Sequence, residues 1–240
     1  MNIRKEIMMA LKLLARIDGL SPRHKDCGFT NFITEPANKS QFEICKKWDG
    51  KTSMTLTGGA GTGKTHLAIA MLKNYPMVER DEKAANEIKN RLEYDIRNDS
   101  VRYGLDGKPY GKEDYQRDLD NELWKYRSAN CYFVSLVELF VKINNAALNT
   151  DKMEILEKYC NDPYEDCTFF DDLGAEKLTE AKRENLYYII DSRYRNMKPT
   201  IITSNFTIKE ISDNEPRIAS RLAEMGDILY FGGKDYRKNK

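Results

Sequence analysis

The chain has 240 residues, 40% hydrophobic and 32% charged, with 39 Lys plus Arg against 38 Asp plus Glu. That length suits one full α/β domain and is short for two. A formal net charge of +1 excludes a global basic field drawing the molecule onto nucleic acid, and no apolar run reaches membrane-spanning length.

The first twenty residues, MNIRKEIMMALKLLARIDGL, begin basic and turn apolar, but Lys12 interrupts the apolar run and no small-residue cleavage site follows before Asp18. Ile3, Ile7, Leu11 and Leu14 fall at helical spacing, which predicts an amphipathic N-terminal helix. The stretch SPRHKDCGFTNFITEPANKS then reads as a linker or loop. The N-terminal region is therefore set at residues 1–28 and the main domain at 29–240. Five scattered cysteines without a CxxC pair read as reduced thiols in a cytoplasmic protein. His24, Cys27 and Cys45 could supply three zinc ligands, but the spacing is irregular and a fourth is missing, so buried or loop residues are the preferred reading.

From residue 52 onward short β-rich runs alternate with helical segments: strands at 52–57, 131–135, 167–171, 200–204 and 227–231. One helix covers 179–194, with Thr179 as N-cap and Leu186, Ile189, Ile190 and Tyr194 as its buried stripe. Such alternation implies a parallel sheet covered on both faces. Residues 76–130 far exceed what a crossover needs. Ile88, Leu92 and Ile96 repeat at helical spacing, as do Leu119, Leu123 and Tyr126, and GLDGKPYG between them has turn chemistry. A charged helical hairpin inserted into the domain is expected.

GGAGTGKTH supplies Gly58, Gly59, Ala60, Gly61, Thr62, Gly63, Lys64, Thr65 and His66. It satisfies G-x-x-x-x-G-K-[ST] between an apolar strand and a helix. Glycines let backbone N–H groups line an anion nest, Lys64 reaches the β- and γ-phosphates of ATP, and the Thr65 hydroxyl ligates Mg2+. In TFFDDLG, Asp171 ends a strand where it can hold the magnesium through water, and Asp172 is placed to orient or deprotonate the attacking water. TIITSN ends in Asn205, which fits a sensor of the γ-phosphate, with Ser204 and Thr203 as weaker alternatives. In PRIASRLAEMGD, Arg217 and Arg221 lie four apart on one helical face. They suit either an arginine donated in trans to a neighbouring subunit or an intramolecularly paired basic face.

Together these motifs resemble the AAA+ ATPases, and more closely the helicase loaders of the DnaC/DnaI type and the IstB-type transposition helper ATPases. The phrases that carry the resemblance are FTNF, GTGKTHLA, FFDDLGAEK, TIITSN, RIASRL and GGKDYR, from about Phe29 to the C-terminus. The resemblance implies an α/β P-loop fold with a five-stranded parallel sheet. It makes Arg221 the trans-acting arginine with Arg217 in reserve, and places residues from Ser135 to Asn149 over a single-stranded DNA contact, where Lys142 is the only cation. The chain ends soon after its last strand, so the helical lid is expected to be absent or reduced, with Arg237 standing in for a second sensor arginine.

The leading functional expectation is an oligomeric, Mg2+-dependent ATPase that loads or remodels a replicative helicase on single-stranded DNA. The N-terminal helix would dock on the helicase or pack on its own domain. A transposition helper wrapping duplex DNA is the second reading, and an ATP-gated module that captures a host helicase is the third. Tyr94, Tyr103, Tyr110 and Trp124 are candidate stacking residues for single strands. A small-molecule kinase accounts for the phosphate loop but not for the other motifs.

Overall fold

A computed structural model describes residues 16–75, 78–79, 82–103, 109–120, 126–127, 129–174 and 179–236. The chain divides into two compact units, Ala15–Pro76 with Ala129–Lys240, and Met1–Leu14 with Met77–Ser128.

In the larger unit the apolar runs become β2 (Ser53–Gly58), β3 (Asn130–Ser135), β4 (Cys167–Leu173), β5 (Thr200–Ser204) and β6 (Gly226–Phe231), preceded by a short β1 (Arg16–Asp18). The helices are α1 (Lys39–Lys46), α2 (Lys64–Lys73), α3 (Leu136–Asn145), α4 (Asn149–Asn161), α5 (Glu180–Arg195), α6 (Ile208–Asn214) and α7 (Pro216–Met225). All six strands run parallel in the order β1-β3-β4-β5-β2-β6. Every residue of β2 and β5 is buried, as expected of central strands covered on both faces. Leu186, Ile189 and Ile190 of α5 join Phe170, Ile202 and Leu222 in the core. Tyr194, expected in that stripe, is half-buried beneath an arginine.

The sheet has six strands rather than the five expected. Arg16–Asp18, read as part of the N-terminal helix, instead pairs with β3, Arg16 opposite Asn130 and Asp18 opposite Tyr132. Three residues reading charged–apolar–charged carry too little periodicity to announce a strand. Gly19 follows at φ +88°, where a Cβ would lie 2.4 Å from the Phe133 carbonyl oxygen, so the chain leaves the sheet edge through a position that only glycine fits. Ile3, Ile7, Leu11 and Leu14 lie outside the described residues.

Buried polar groups lock the strand entrances. Arg193 and Glu165 are 0% and 1% exposed, with Nη2 2.9 Å from Oε1. Arg193 also donates to Thr200 Oγ1, the Tyr159 carbonyl and the Pro199 carbonyl. The guanidinium thereby ties α5 to the ends of α4 and β5 with its hydrogen bonds met.

The smaller unit contains helices Glu82–Arg97 and Lys112–Asp120, a strand pair Arg102–Tyr103 with Pro109–Tyr110, and a second pair Val78–Glu79 with Tyr126–Arg127. Tyr126, expected on a helix, lies in a strand: two residues of antiparallel pairing close the insertion where its chain enters and leaves. Asp95, 2% exposed, pairs with Arg102. The Tyr110 hydroxyl donates to Asp118, and the Tyr110 ring packs edge-on against Tyr115. Tyr94 is exposed, while Trp124 lies outside the described residues. Among the described residues no helix is long and apolar enough to cross a membrane.

Candidate functional site: a nucleotide cleft at the carboxyl ends of the strands

The phosphate loop leaves β2 and opens α2, so its shape follows from two fixed ends. Gly61 has φ +73° and a Cβ there would sit 1.7 Å from an Asp235 carboxylate oxygen; Gly63, at φ +94°, faces the Phe32 ring at 2.6 Å. Both positions therefore favour glycine through their left-handed conformation, and a side chain at either would also have to displace Asp235 or Phe32. Thr62 Oγ1 donates to the Gly59 carbonyl at 2.9 Å and steadies the loop from within, while Ala60 at its tip is exposed.

Lys64 is 5% exposed. Its ammonium donates to the Gly58 and Gly59 carbonyls at 2.8 and 2.7 Å and to Asn205 Oδ1 at 3.1 Å. A buried ammonium must find acceptors, and it takes those of the loop it serves and of the neighbouring strand's end. Lys64 and Asn205, proposed from separate motifs, thus meet.

The second cluster centres on Asp171, also buried. Its Oδ1 accepts from Thr65 Oγ1 at 2.9 Å and from Thr203 Oγ1 at 2.6 Å. Burial pushes the carboxyl above its ordinary range, and neighbouring Asp172 adds to this, while the Thr203 and Thr65 hydroxyls oppose it. Thr203, a weaker sensor alternative in sequence, has a different place: its hydroxyl also accepts the Asp172 backbone N–H at 3.0 Å. Asp172 adopts φ +63° at an irregularity in the β4–β5 pairing between Phe170 and Leu173. A left-handed aspartate is uncommon. Here it breaks the strand's alternation and keeps adjacent carboxylates in separate roles, Asp171 buried against Thr65 and Asp172 lining the cleft. Ser204 turns away from the cleft chemistry and donates to the Leu173 carbonyl.

The segment read as a linker forms a wall of this cleft. Lys73 of α2 donates to the carbonyls of His24, Lys25 and Cys27, and His66 Nε2 lies 2.8 Å from the Gly28 carbonyl. These contacts hold Arg23, His24 and Cys27 beside the loop. From the other side the Tyr236 N–H donates to the Gly61 carbonyl at 3.1 Å, and Lys234 pairs with Glu35 at 2.9 Å. The resulting cleft, about 450 Å³, is lined by Lys64, Thr65, His66, Asp172 and Asn205 together with Arg23, His24, Cys27 and Tyr236. That volume suits a small ligand. Arg23, His24 and Tyr236 were not singled out from sequence as nucleotide-site residues; only the later contacts with α2 and the phosphate loop bring them in. Cys45 is buried, and no cluster of three metal-ligating His, Cys, Asp or Glu side chains occurs among the described residues.

The residues fit a nucleotide and a hard cation. Gly61 and Gly63 give the loop the positive-φ turns that let it open α2, Lys64 supplies charge beside it, and Thr65 and Asp171 offer the oxygen ligands that Mg2+ takes.

Arg217 and Arg221 do not line the cleft. Arg221 Nε donates to Asp191 Oδ1 at 2.9 Å and its guanidinium carbon stands 4.5 Å above the Tyr194 ring. Arg217 covers Tyr187 at 3.6 Å. Hydrogen bonding from Arg221 holds the Asp191 carboxyl below the usual carboxylate range. Within one chain, therefore, the intramolecularly paired reading describes this face. Arg237 lies outside the described residues. Ser135 caps α3 by accepting from the Glu138 N–H at 3.4 Å, and Val137 and Val141 are exposed on that helix.

Comparison with solved structures places this geometry. The crystal structure of the DnaC helicase loader matches with a TM-score of 0.55 at 20% identity, covering 88% of this chain and 100% of that one. The chain shares the fold of that structure. DnaI matches at 0.55 with 16% identity, over 94% of this chain and 98% of that one. AMPPCP-bound DnaA from Aquifex aeolicus matches at 0.55 with 17% identity, over 92% of this chain and 54% of that one. No protein-family model matches the chain. Among curated proteins it is 29% identical over 238 residues to the uncharacterized protein YqaM of Bacillus subtilis (strain 168), covering 89% of this chain and 58% of that protein. It is 24% identical over 242 residues to the phage-like element PBSX protein XkdC of the same strain, covering 90% and 69%. The chain thus spans less than two thirds of the length of YqaM.

Proposed function

We propose that the chain is a Mg2+-dependent ATPase acting as a DNA-replication factor, which loads or remodels a replicative helicase on single-stranded DNA. The observation that carries this reading is the convergence of Lys64 with Asn205 and of Thr65 with Asp171 and Thr203, on a fold that spans the full length of the DnaC helicase loader chain.

Lys64 and the loop N–H groups bind the triphosphate, and Thr65 with Asp171 holds Mg2+, which supplies charge neutralisation on the phosphate oxygens. Asp172 orients or deprotonates the attacking water, Asn205 senses the γ-phosphate, and Arg221 reaches the site of a second copy. ATP holds the assembly closed and hydrolysis releases the partner. Residues from Ser135 to Asn149 face the DNA.

The test is Asp172→Asn, which retains ATP but hydrolyses it slowly. Tagged, expressed in the native host and purified with ATP, it should bring down a replicative helicase. A transposase with duplex DNA would overturn the loader reading. The likeness to a phage-like element protein favours one alternative, an ATP-gated module that captures a host helicase. In that case Asp172→Asn keeps the biological effect and Lys64→Ala loses it.

A further inference from the structure

Arg221 belongs to a compact arrangement on the faces of α5 and α7. Asp191 Oδ1 accepts from Arg221 Nε at 2.9 Å and from the Tyr187 hydroxyl at 3.3 Å, while Oδ2 forms an ion pair with Arg195, 3.0 Å from its Nε. Tyr194, one turn further along α5, lies under the guanidinium. Nη1 stands 3.7 Å from Glu224 Oε2, Tyr187 also hydrogen-bonds Arg221, and the arginine side chain is 29% exposed. A free arginine on a helix surface samples many rotamers, and fixing it on demand costs entropy. Here one edge of the guanidinium is bonded and one face is stacked, so the side chain is ordered before any partner arrives.

The geometry points to Asp191 as the positioning residue of the trans-acting arginine: with Tyr194 it fixes Nε and the plane of Arg221 and directs the terminal amino groups towards the nucleotide of a second copy of this chain. This rests on the trans role of Arg221 proposed above. A merely structural ion pair predicts something different: pairs between partly exposed groups add little to stability, and the loss of such a pair leaves kcat unchanged. Asp191 is not in the cleft, so its loss leaves each subunit's own nucleotide site intact.

The experiment is a subunit-mixing assay of ATP hydrolysis. Asp191→Ala alone is expected to lower kcat about tenfold, keep KM for ATP within about twofold, and unfold at the wild-type temperature. Mixed with an equal amount of Asp172→Asn, which hydrolyses only slowly but carries an intact Arg221 and Asp191, it should regain several-fold activity. In mixed assemblies the ordered arginine of one subunit faces the competent site of the other. Arg221→Ala mixed with Asp172→Asn is the reference. If that pair shows no recovery, the trans-arginine reading fails and the Asp191 inference falls with it. If Arg221→Ala is rescued but Asp191→Ala is not, or if Asp191→Ala has wild-type kcat, the Asp191 inference alone is overturned. Should Asp191→Ala fail to fold, Asp191→Asn replaces it; it keeps a carbonyl acceptor for Nε, and a partial loss of kcat, rescued by mixing, is then expected.

Discussion

Lys64 Nζ stands 3.1 Å from Asn205 Oδ1, across 141 residues of sequence. The phosphate-loop cation and the end of the neighbouring strand are therefore one unit, and phosphates entering the loop must compete for the same ammonium. Asn205→Ala should leave ATP affinity within a few-fold, since the loop carbonyls and glycines remain. It should lower kcat by about 100-fold, the scale for losing one polar group aimed at developing charge. Lys64→Ala should abolish binding itself. Equilibrium binding beside steady-state hydrolysis separates the two, and equal loss of affinity in both variants would remove the distinction drawn here.

Asp171 carries a stability cost that follows from its raised pKa. A carboxyl whose folded-state pKa lies above its unfolded value binds extra protons in the native state, so its contribution is favourable at low pH and is lost as pH rises through the folded value. Asp171→Asn should therefore raise the melting temperature of the nucleotide-free chain at pH 7, while abolishing Mg2+-dependent hydrolysis. In wild type, Mg2+ binding should weaken as the pH falls through that raised value. A lowered melting temperature in the variant would contradict the assignment of burial as the dominant cause.

Cys27 gives the cleft a built-in reporter. It lines the site and is half-buried, whereas Cys45, Cys131, Cys160 and Cys167 are buried, with the Cys45 thiol pushed up to about 12 and the Cys160 thiol to about 11. One thiol per native chain should react with a small alkylating agent. Burial also raises the Cys27 thiol, so the rate should climb with pH above neutrality. ATP should slow the reaction at least tenfold in wild type and not in Lys64→Ala, as mass spectrometry of the labelled chain would reveal.

The Arg193–Glu165 pair predicts a purely structural phenotype. Glu165→Ala strands a fully buried guanidinium and should destabilise the chain by about 3–5 kcal/mol in urea unfolding. Replacing both partners with apolar residues of similar volume should recover much of that loss. A Glu165→Ala variant as stable as wild type would mean that water reaches Arg193.

The strand-end half of the cleft was legible because each of its motifs sits at a strand end, and apolar strands are visible as local runs. Lys64, Thr65, Asp171 and Asn205 could be named because the chemistry of triphosphates prescribes their types. Thr203 was harder: a hydroxyl inside TIITS looks like any β-branched strand residue until its register against Asp171 is known. Arg23, His24 and Tyr236 reach the cleft only through Lys73, His66 and Gly61, contacts spanning tens to more than a hundred residues that leave no periodic trace. The pairing of Arg221 with Asp191 was likewise open, since four-residue spacing states which arginines share a face and not what that face meets.

The strand that carries the phosphate loop has a consequence for synthesis. Its two neighbours in the sheet are Thr200–Ser204 and Gly226–Phe231, both far downstream of it in the sequence. At roughly 5–20 residues per second, translation of the about 170 residues between Gly58 and Phe231 takes on the order of 10–35 s. Throughout that interval the loop emerges without the frame that shapes it. The loop thus takes its final shape only after Phe231 has been made, so any ligand site built on it forms late relative to the loop's own synthesis.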